Sequence, residues 1–260
     1  MADSLHIVAV LLSGALVGVS LGLFGGGGSI LATPLLLYVV GVADPHVAVG
    51  TSALAVAANA VTGLLAHWRH GNVKWPCATV FAVSGAVGAV IGSTLGKAVT
   101  GPWLLIPFSL MMVAVGLAML RPKGAGGDPN VRLTPAMAPR LVGVGILAGG
   151  FAGFFGIGGG FLIVPGIMLG SGMPLINAVG SSLISVSAFG LTTAANYAAS
   201  GLIDWTVAVP FTIGGVAGSL IGTRMAVRLA ERRQTFTYAF AGIIFLVAFY
   251  TFIRAIGTLV

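Results

Sequence analysis

Acidic residues are nearly missing from this 260-residue sequence: Asp3, Asp44, Asp128, Asp204 and Glu231 are the whole inventory. Asp3, Asp128 and Glu231 fall in the tail or in loops, while Asp44 and Asp204 stand at segment edges beside Pro45 and Trp205. The lack of any acid in the middle of an apolar run argues against a cation transporter with a carboxylate site and against an Asp/Glu proton relay. Cysteine occurs once, as Cys77 in an apolar run, which excludes a disulfide framework and a Cys-based metal site. Charged residues of both signs amount to 7%, against roughly a quarter in a soluble domain. Surface-to-volume scaling leaves a soluble fold of this length no way to hide the remainder. No P-loop is present, so direct coupling to ATP has no sequence support.

What is abundant is apolar. Hydrophobic residues make up 57% of the chain and mean hydropathy is +1.09, the composition of an all-α integral membrane protein. Apolar segments run at about 5–23, 30–43, 47–66, 76–96 and 103–120, then 141–155, 161–171, 175–197, 206–223 and 236–256. Most approach the roughly 20 residues that span a bilayer. Those at 30–43 and 161–171 are shorter, and each follows a glycine run and opens near a proline. Each is therefore a short buried span or one arm of a re-entrant hairpin. The one long polar interval, Arg121 to Arg140, reads as a linker between an N-terminal transmembrane repeat (1–120) and a C-terminal one (141–260). Met1-Ala2-Asp3-Ser4 places no basic region ahead of the first apolar run, so that run is expected to stay as a membrane segment.

The two halves are one motif written twice. Phe24-Gly25-Gly26-Gly27-Gly28-Ser29, continuing to Leu31 and Pro34, aligns with Phe155-Gly156-Ile157-Gly158-Gly159-Gly160, continuing to Leu162 and Pro165. After a one-residue gap, Gly50-Thr51-Ser52 aligns with Gly180-Ser181-Ser182, Gly71 with Gly201, Trp75 with Trp205, and Gly85, Gly88 and Gly92 with Gly215, Gly218 and Gly222. Duplication on this scale makes both halves the same fold. The glycines at helical spacing mark faces where helices approach closely.

Net charge is +7, but the Lys and Arg residues sit in short loops rather than on a face interleaved with aromatics, so no nucleic-acid partner is expected. They read instead as topology determinants. If the second half is inverted, Arg69, Lys74, Arg121, Lys123, Arg132, Arg140, Arg224, Arg228, Arg232 and Arg233 share one side, ten against Lys97 and Arg254 on the other; a parallel second half gives seven against five. Inversion is the better arrangement. It needs an odd number of crossings per half: five spans, or three plus a re-entrant hairpin, within about eight to ten hydrophobic segments in all. The linker is then cytoplasmic and both termini lie outside. Inverted repeats with glycine-broken segments at matched positions are the pattern of secondary transporters, whose sites lie where the repeats meet.

Non-helical backbone at membrane depth has to be buried in protein or line an aqueous cavity. A glycine run lets backbone N–H groups come close to a ligand, and the start of the following segment adds partial positive charge, so an anion is favoured. The expected substrate contacts are Gly25, Gly26, Gly27, Gly28 and Ser29 in the first copy and Gly156, Gly158, Gly159 and Gly160 in the second. Thr51 and Ser52, with Ser181 and Ser182, open the next helix of each half and offer hydroxyls. Asn59 and Asn196 are amides inside apolar segments, which should face a partner or a cavity. His67 aligns with Tyr197 at a loop end and is not read as a proton carrier.

These residues resemble the TauE/SafE sulfite exporters, also called 4-toluene sulfonate uptake permeases. The resemblance rests on Gly22 to Pro34 with Gly50-Thr51-Ser52, on Gly153 to Pro165 with Gly180-Ser181-Ser182, and on Gly201-Leu202-Ile203-Asp204-Trp205, and it covers nearly the whole chain. It implies transport of sulfite, sulfonates or other sulfur-containing anions across the bacterial inner membrane, commonly as export. The first copy has Gly28-Ser29 where the second has Gly159-Gly160, which makes the two halves of a site unequal.

The leading expectation is a secondary transporter of a small sulfur oxyanion, with neither cofactor nor metal. The expected partners are the anionic substrate and the lipid bilayer; a coupling ion (H+ or Na+) and a homo-oligomer are left open. A passive anion channel is the alternative. An intramembrane hydrolase would have only Ser84-Gly85 with His67 or His70 to work with, and no oriented triad can be argued for them.

Overall fold

The computed structural model of the chain describes residues 2–69, 71–120, 128, 131–156, 160–228 and 233–257. Helix α1 (Ala2–Phe24) leads into a 3-10 stretch (Gly25–Leu31), a single turn α2 (Ala32–Leu35) and a π-helical turn (Leu36–Val40). Then come α3 (Pro45–Arg69), α4 (Trp75–Ala98) and α5 (Gly101–Leu120). The second half repeats the order as α6 (Ala138–Phe155), α7 (Gly160–Ser171), α8 (Leu175–Ala198), α9 (Trp205–Arg228) and α10 (Arg233–Gly257). No strand occurs among the described residues. Seven of the described helices are long and apolar enough to cross a membrane. Of the linker, residues 121–127, 129 and 130 lie outside the described residues.

The molecule is inside-out relative to a soluble protein. Leu12, Val83 and Leu246 are 65%, 64% and 71% exposed, whereas Thr33, Ser52 and Asn59 are buried. Apolar side chains facing outward suit a lipid solvent, where helices associate through close packing and polar contacts rather than hydrophobic burial.

Local chemistry sets the helix ends. Gly41 and its counterpart Gly172, and Gly71 and its counterpart Gly201, all have positive φ and stop helices at matching places. Pro45 opens α3, and Pro76 and Pro139 stand in the first turns of α4 and α6, where a missing N–H costs nothing. One expectation is corrected here. Thr51-Ser52 and Ser181-Ser182 do not open helices, because α3 starts at Pro45 and α8 at Leu175. The Pro at the start of α3 and the Pro174 N-cap of α8 set those boundaries nearly two turns earlier.

The short segment after each glycine run retraces the helix before it. His6 Nε2 donates to the carbonyl of Val40 at 3.0 Å, so residues 25–40 run back to the start of α1. The seven residues Gly25–Leu31 gain length by being 3-10, at about 2.0 Å per residue against 1.5 Å in an α-helix. In the second half a Cβ on Gly170 would stand 2.8 Å from Leu141 Cδ2, which puts the end of α7 beside the start of α6.

The halves exchange partners. Helix α1 packs on α9, and its counterpart α6 packs on α4. Both contacts are backbone to backbone: a Cβ on Gly18 would collide with the carbonyl of Gly215, and one on Gly149 with the carbonyl of Gly85. In each pair numbering rises together, so the paired helices run parallel. At the centre α3 packs on α8. There Gly50 meets Tyr197, Ala53 and Ala57 meet Gly190, Gly63 meets Leu183 and Asn72 meets Gly180. As one number rises the other falls, so these two equivalent helices run antiparallel.

Candidate functional site

The glycine break of the first half packs against the return helix of the second. The 3-10 stretch Gly25–Leu31 packs against α7, which begins at Gly160. Ser29 is fully buried, and Gly156 closes α6 with φ +66. Gly158 and Gly159 lie outside the described residues. Ser52 links the halves: its Oγ lies 3.0 Å from Thr33 Oγ1, 3.0 Å from the Val49 carbonyl and 3.2 Å from the Gly156 carbonyl. A serine has one proton, so with a carbonyl taking it, Thr33 donates to Ser52. The contact therefore links the return segment of one half, α3, and the glycine break of the other. Thr33 was missed by sequence reasoning, although it stands inside the duplicated motif; its counterpart Val164 cannot make this bond. Ser182, the counterpart of Ser52, donates to its own helix at the Val179 carbonyl, 2.7 Å away.

Thr51 and Ser181 form a second symmetric pair away from the glycine breaks. Thr51 Oγ1 accepts the Asp204 N–H at 3.0 Å, and Ser181 Oγ accepts the Lys74 N–H at 2.9 Å. Each hydroxyl thus holds the residue that precedes the third long helix of the opposite half, α9 or α4. Asp204 itself caps α9, accepting from Thr206 Oγ1 at 2.6 Å and from the N–H groups of Thr206 and Val207 at 2.9 and 3.3 Å. These bonds, led by the Thr206 hydroxyl, hold its carboxyl below the usual carboxylate range.

Asn196 is engaged at the end of α8. Its Nδ2 donates to Ser93 Oγ at 2.6 Å and Thr94 Oγ1 at 3.0 Å, and its Oδ1 and carbonyl accept from Lys97 Nζ at 2.8 and 3.1 Å. Lys97 reaches Ser200 Oγ as well, at 2.8 Å. All three ammonium protons are thereby used, and α4 is clasped to α8 at the end opposite the linker.

Asn59 is different. It is fully buried midway along α3, and neither Oδ1 nor Nδ2 has a hydrogen-bond partner. Its amide lies against Gly215 of α9, where an added Cβ would collide with Nδ2 and stand 2.6 Å from Oδ1. Ser219 Oγ, one turn further along α9, donates to the Asn59 carbonyl at 3.5 Å.

Similarity to known proteins follows the same extent as the duplication. Residues 10–251 match the family described as sulfite exporter TauE/SafE. A "Probable membrane transporter protein" of Xylella fastidiosa (strain 9a5c) is 48% identical over 255 residues, 98% of each chain. The "Probable membrane transporter protein YdhB" of Bacillus subtilis (strain 168) is 25% identical over 217 residues, 80% of this chain and 86% of its own. The "Probable membrane transporter protein MJ0441" of Methanocaldococcus jannaschii is 28% identical over 206 residues, 76% of this chain and 72% of its own. No solved structure matches the chain.

Proposed function

The chain belongs to the sulfite exporter TauE/SafE family of membrane transporters, and on that premise we propose that it is a secondary exporter of small sulfur-containing oxyanions such as sulfite or organosulfonates. It works by alternating access between two inverted repeats, 1–120 and 141–260, in a bacterial cytoplasmic membrane. The observation that carries this reading is the meeting of the two glycine-broken segments between the halves, tied by Ser52 to Thr33 and Gly156. Relative motion of the halves opens and closes that place first. The walls proposed for it are Gly25, Gly26, Gly27, Gly28 and Ser29 of one half and Gly156 and Gly160 of the other, with Gly158 and Gly159 included on the sequence motif alone. Thr51, Ser181 and Asn196 serve as ties between helices.

Inversion is supported by the antiparallel packing of the equivalent helices α3 and α8. With these directions Arg69, Arg140, Arg224 and Arg228 fall at the linker end and Lys97 and Arg254 at the other. The positive-inside rule then makes the linker cytoplasmic and puts both termini outside.

Purified protein in proteoliposomes should move radiolabelled sulfite saturably and show trans-stimulated exchange. Ohmic currents without exchange would replace the carrier by a channel. If no sulfur oxyanion moves and none raises the unfolding temperature, the substrate class is wrong.

A further inference from the structure

The duplication supplies an internal control for Asn59. Its counterpart is Phe189, and the two occupy the same slot in opposite halves: Asn59 lies on Gly215, while Phe189 lies on Gly85, where an added Cβ would collide with the ring. The surrounding architecture matches too, since Gly215 carries α1 on its other side through Gly18, and Gly85 carries α6 through Gly149. An apolar side chain therefore fills this slot adequately in one half. In the other half stands a fully buried amide with both polar atoms unpartnered, an arrangement that costs stability and that packing does not require. The buried hydroxyls Ser185 Oγ and Thr193 Oγ1 also lack partners, but a hydroxyl rotor can turn to a backbone carbonyl. An amide cannot satisfy Oδ1 and Nδ2 that way.

From this we infer that Asn59 contacts the transported anion, and that this anion brings a hydrogen-bond donor of its own. An amide offers N–H to an oxyanion, but its Oδ1 is satisfied only by a ligand O–H or N–H. Hydrogen sulfite and hydroxymethanesulfonate carry both functions; methanesulfonate has acceptors alone. In the arrangement described the amide is pressed against Gly215, so the ligand enters when α3 and α9 separate, and the absence of a Cβ on Gly215 leaves that approach open. The inference rests on the transport reading above and specifies which members of the sulfur oxyanion class the site selects.

The test uses the full-length protein in proteoliposomes at mildly acid pH, with labelled hydrogen sulfite, hydroxymethanesulfonate and methanesulfonate. Wild-type protein should move the first two and discriminate against methanesulfonate by about tenfold or more, the scale of one or two hydrogen bonds to a charged ligand. Asn59→Leu, which keeps the side-chain shape, should unfold at or above the wild-type temperature while losing hydrogen sulfite transport about tenfold. Wild-type transport of methanesulfonate as fast as hydrogen sulfite would overturn the inference, with or without a foldable variant. So would an Asn59→Leu protein that moves hydrogen sulfite at the wild-type rate, in which case Asn59 holds a structural water only. Failure of wild-type protein to move any of the three defeats the transport reading itself and takes this inference with it.

Discussion

Ser52 Oγ lies 3.2 Å from the carbonyl oxygen of Gly156, 104 residues away in sequence, so the third helix of one half holds the glycine break of the other. Ser52 Oγ also stands 3.0 Å from the Val49 carbonyl, as its counterpart Ser182 stands 2.7 Å from that of Val179, but only Ser52 adds contacts to Thr33 and Gly156. The two breaks are thus held unequally, although the motifs that form them are copies.

Removing the Ser52 hydroxyl takes away the group that accepts from buried Thr33 and reaches Gly156 of the other half, whereas Ser182 gives up only a bond within its own helix. Ser52→Ala should lower the apparent Tm by about 2–4 °C, the equivalent of roughly 1 kcal/mol, and Ser182→Ala should leave it nearly unchanged. Thermal unfolding of the two variants in detergent checks this, and equal shifts would contradict it.

Gly156 has φ +66, and a Cβ there would also collide with Val49 Cγ1. Gly172 has φ +70 with nothing within 4 Å of an added Cβ. Gly172→Ala should therefore cost about 1–2 kcal/mol of backbone strain alone and still yield protein that elutes as one species. Gly156→Ala carries the same strain plus the clash and should reduce the recovered folded fraction severalfold, read by size-exclusion chromatography of a fluorescent fusion.

The proposed inverted arrangement would place equivalent residues on opposite sides of the membrane. Arg69 and its counterpart Ala199 are both exposed at helix ends. In a Cys77→Ser background, Arg69→Cys and Ala199→Cys should react with an impermeant maleimide from opposite sides, Ala199→Cys from outside. Labelling from the same side would require parallel repeats.

Asp204 is held below the ordinary carboxylate range by bonds from Thr206 and Val207. A depressed folded pKa means stability that is present above the unfolded value and lost as pH falls through the folded one. Unfolding temperature should accordingly decline below about pH 4, and Asp204→Asn, which keeps a capping oxygen, should flatten that part of the profile. An unchanged acid limb in the variant would assign the decline to other carboxyls.

Much of the architecture was legible in the chain because it follows from local composition and repetition. Low charge and apolar runs near 20 residues imposed helices in lipid, Gly71 and Gly201 stop them at matching places, and the duplication made one half the template of the other. Basic residues in short loops already argued for inversion. The predicted glycine faces of α4 and α9 are indeed close-approach surfaces.

Partner choice was not legible. The glycine faces of α4 and α9 are alike, and each could pack on the first helix of either half; only the assembled molecule selects α6 for α4 and α1 for α9. Polar residues of the same type diverge for the same reason. Asn196 meets Lys97, Ser93 and Thr94 and becomes a clasp, while Asn59 meets a glycine backbone and is left with nothing to bond. Sequence alone determined a duplicated membrane protein broken twice by glycine. Tertiary structure decided which amide is spent on the fold and which is left without a partner, because hydrogen bonds between helices depend on which neighbours close packing brings within about 3 Å.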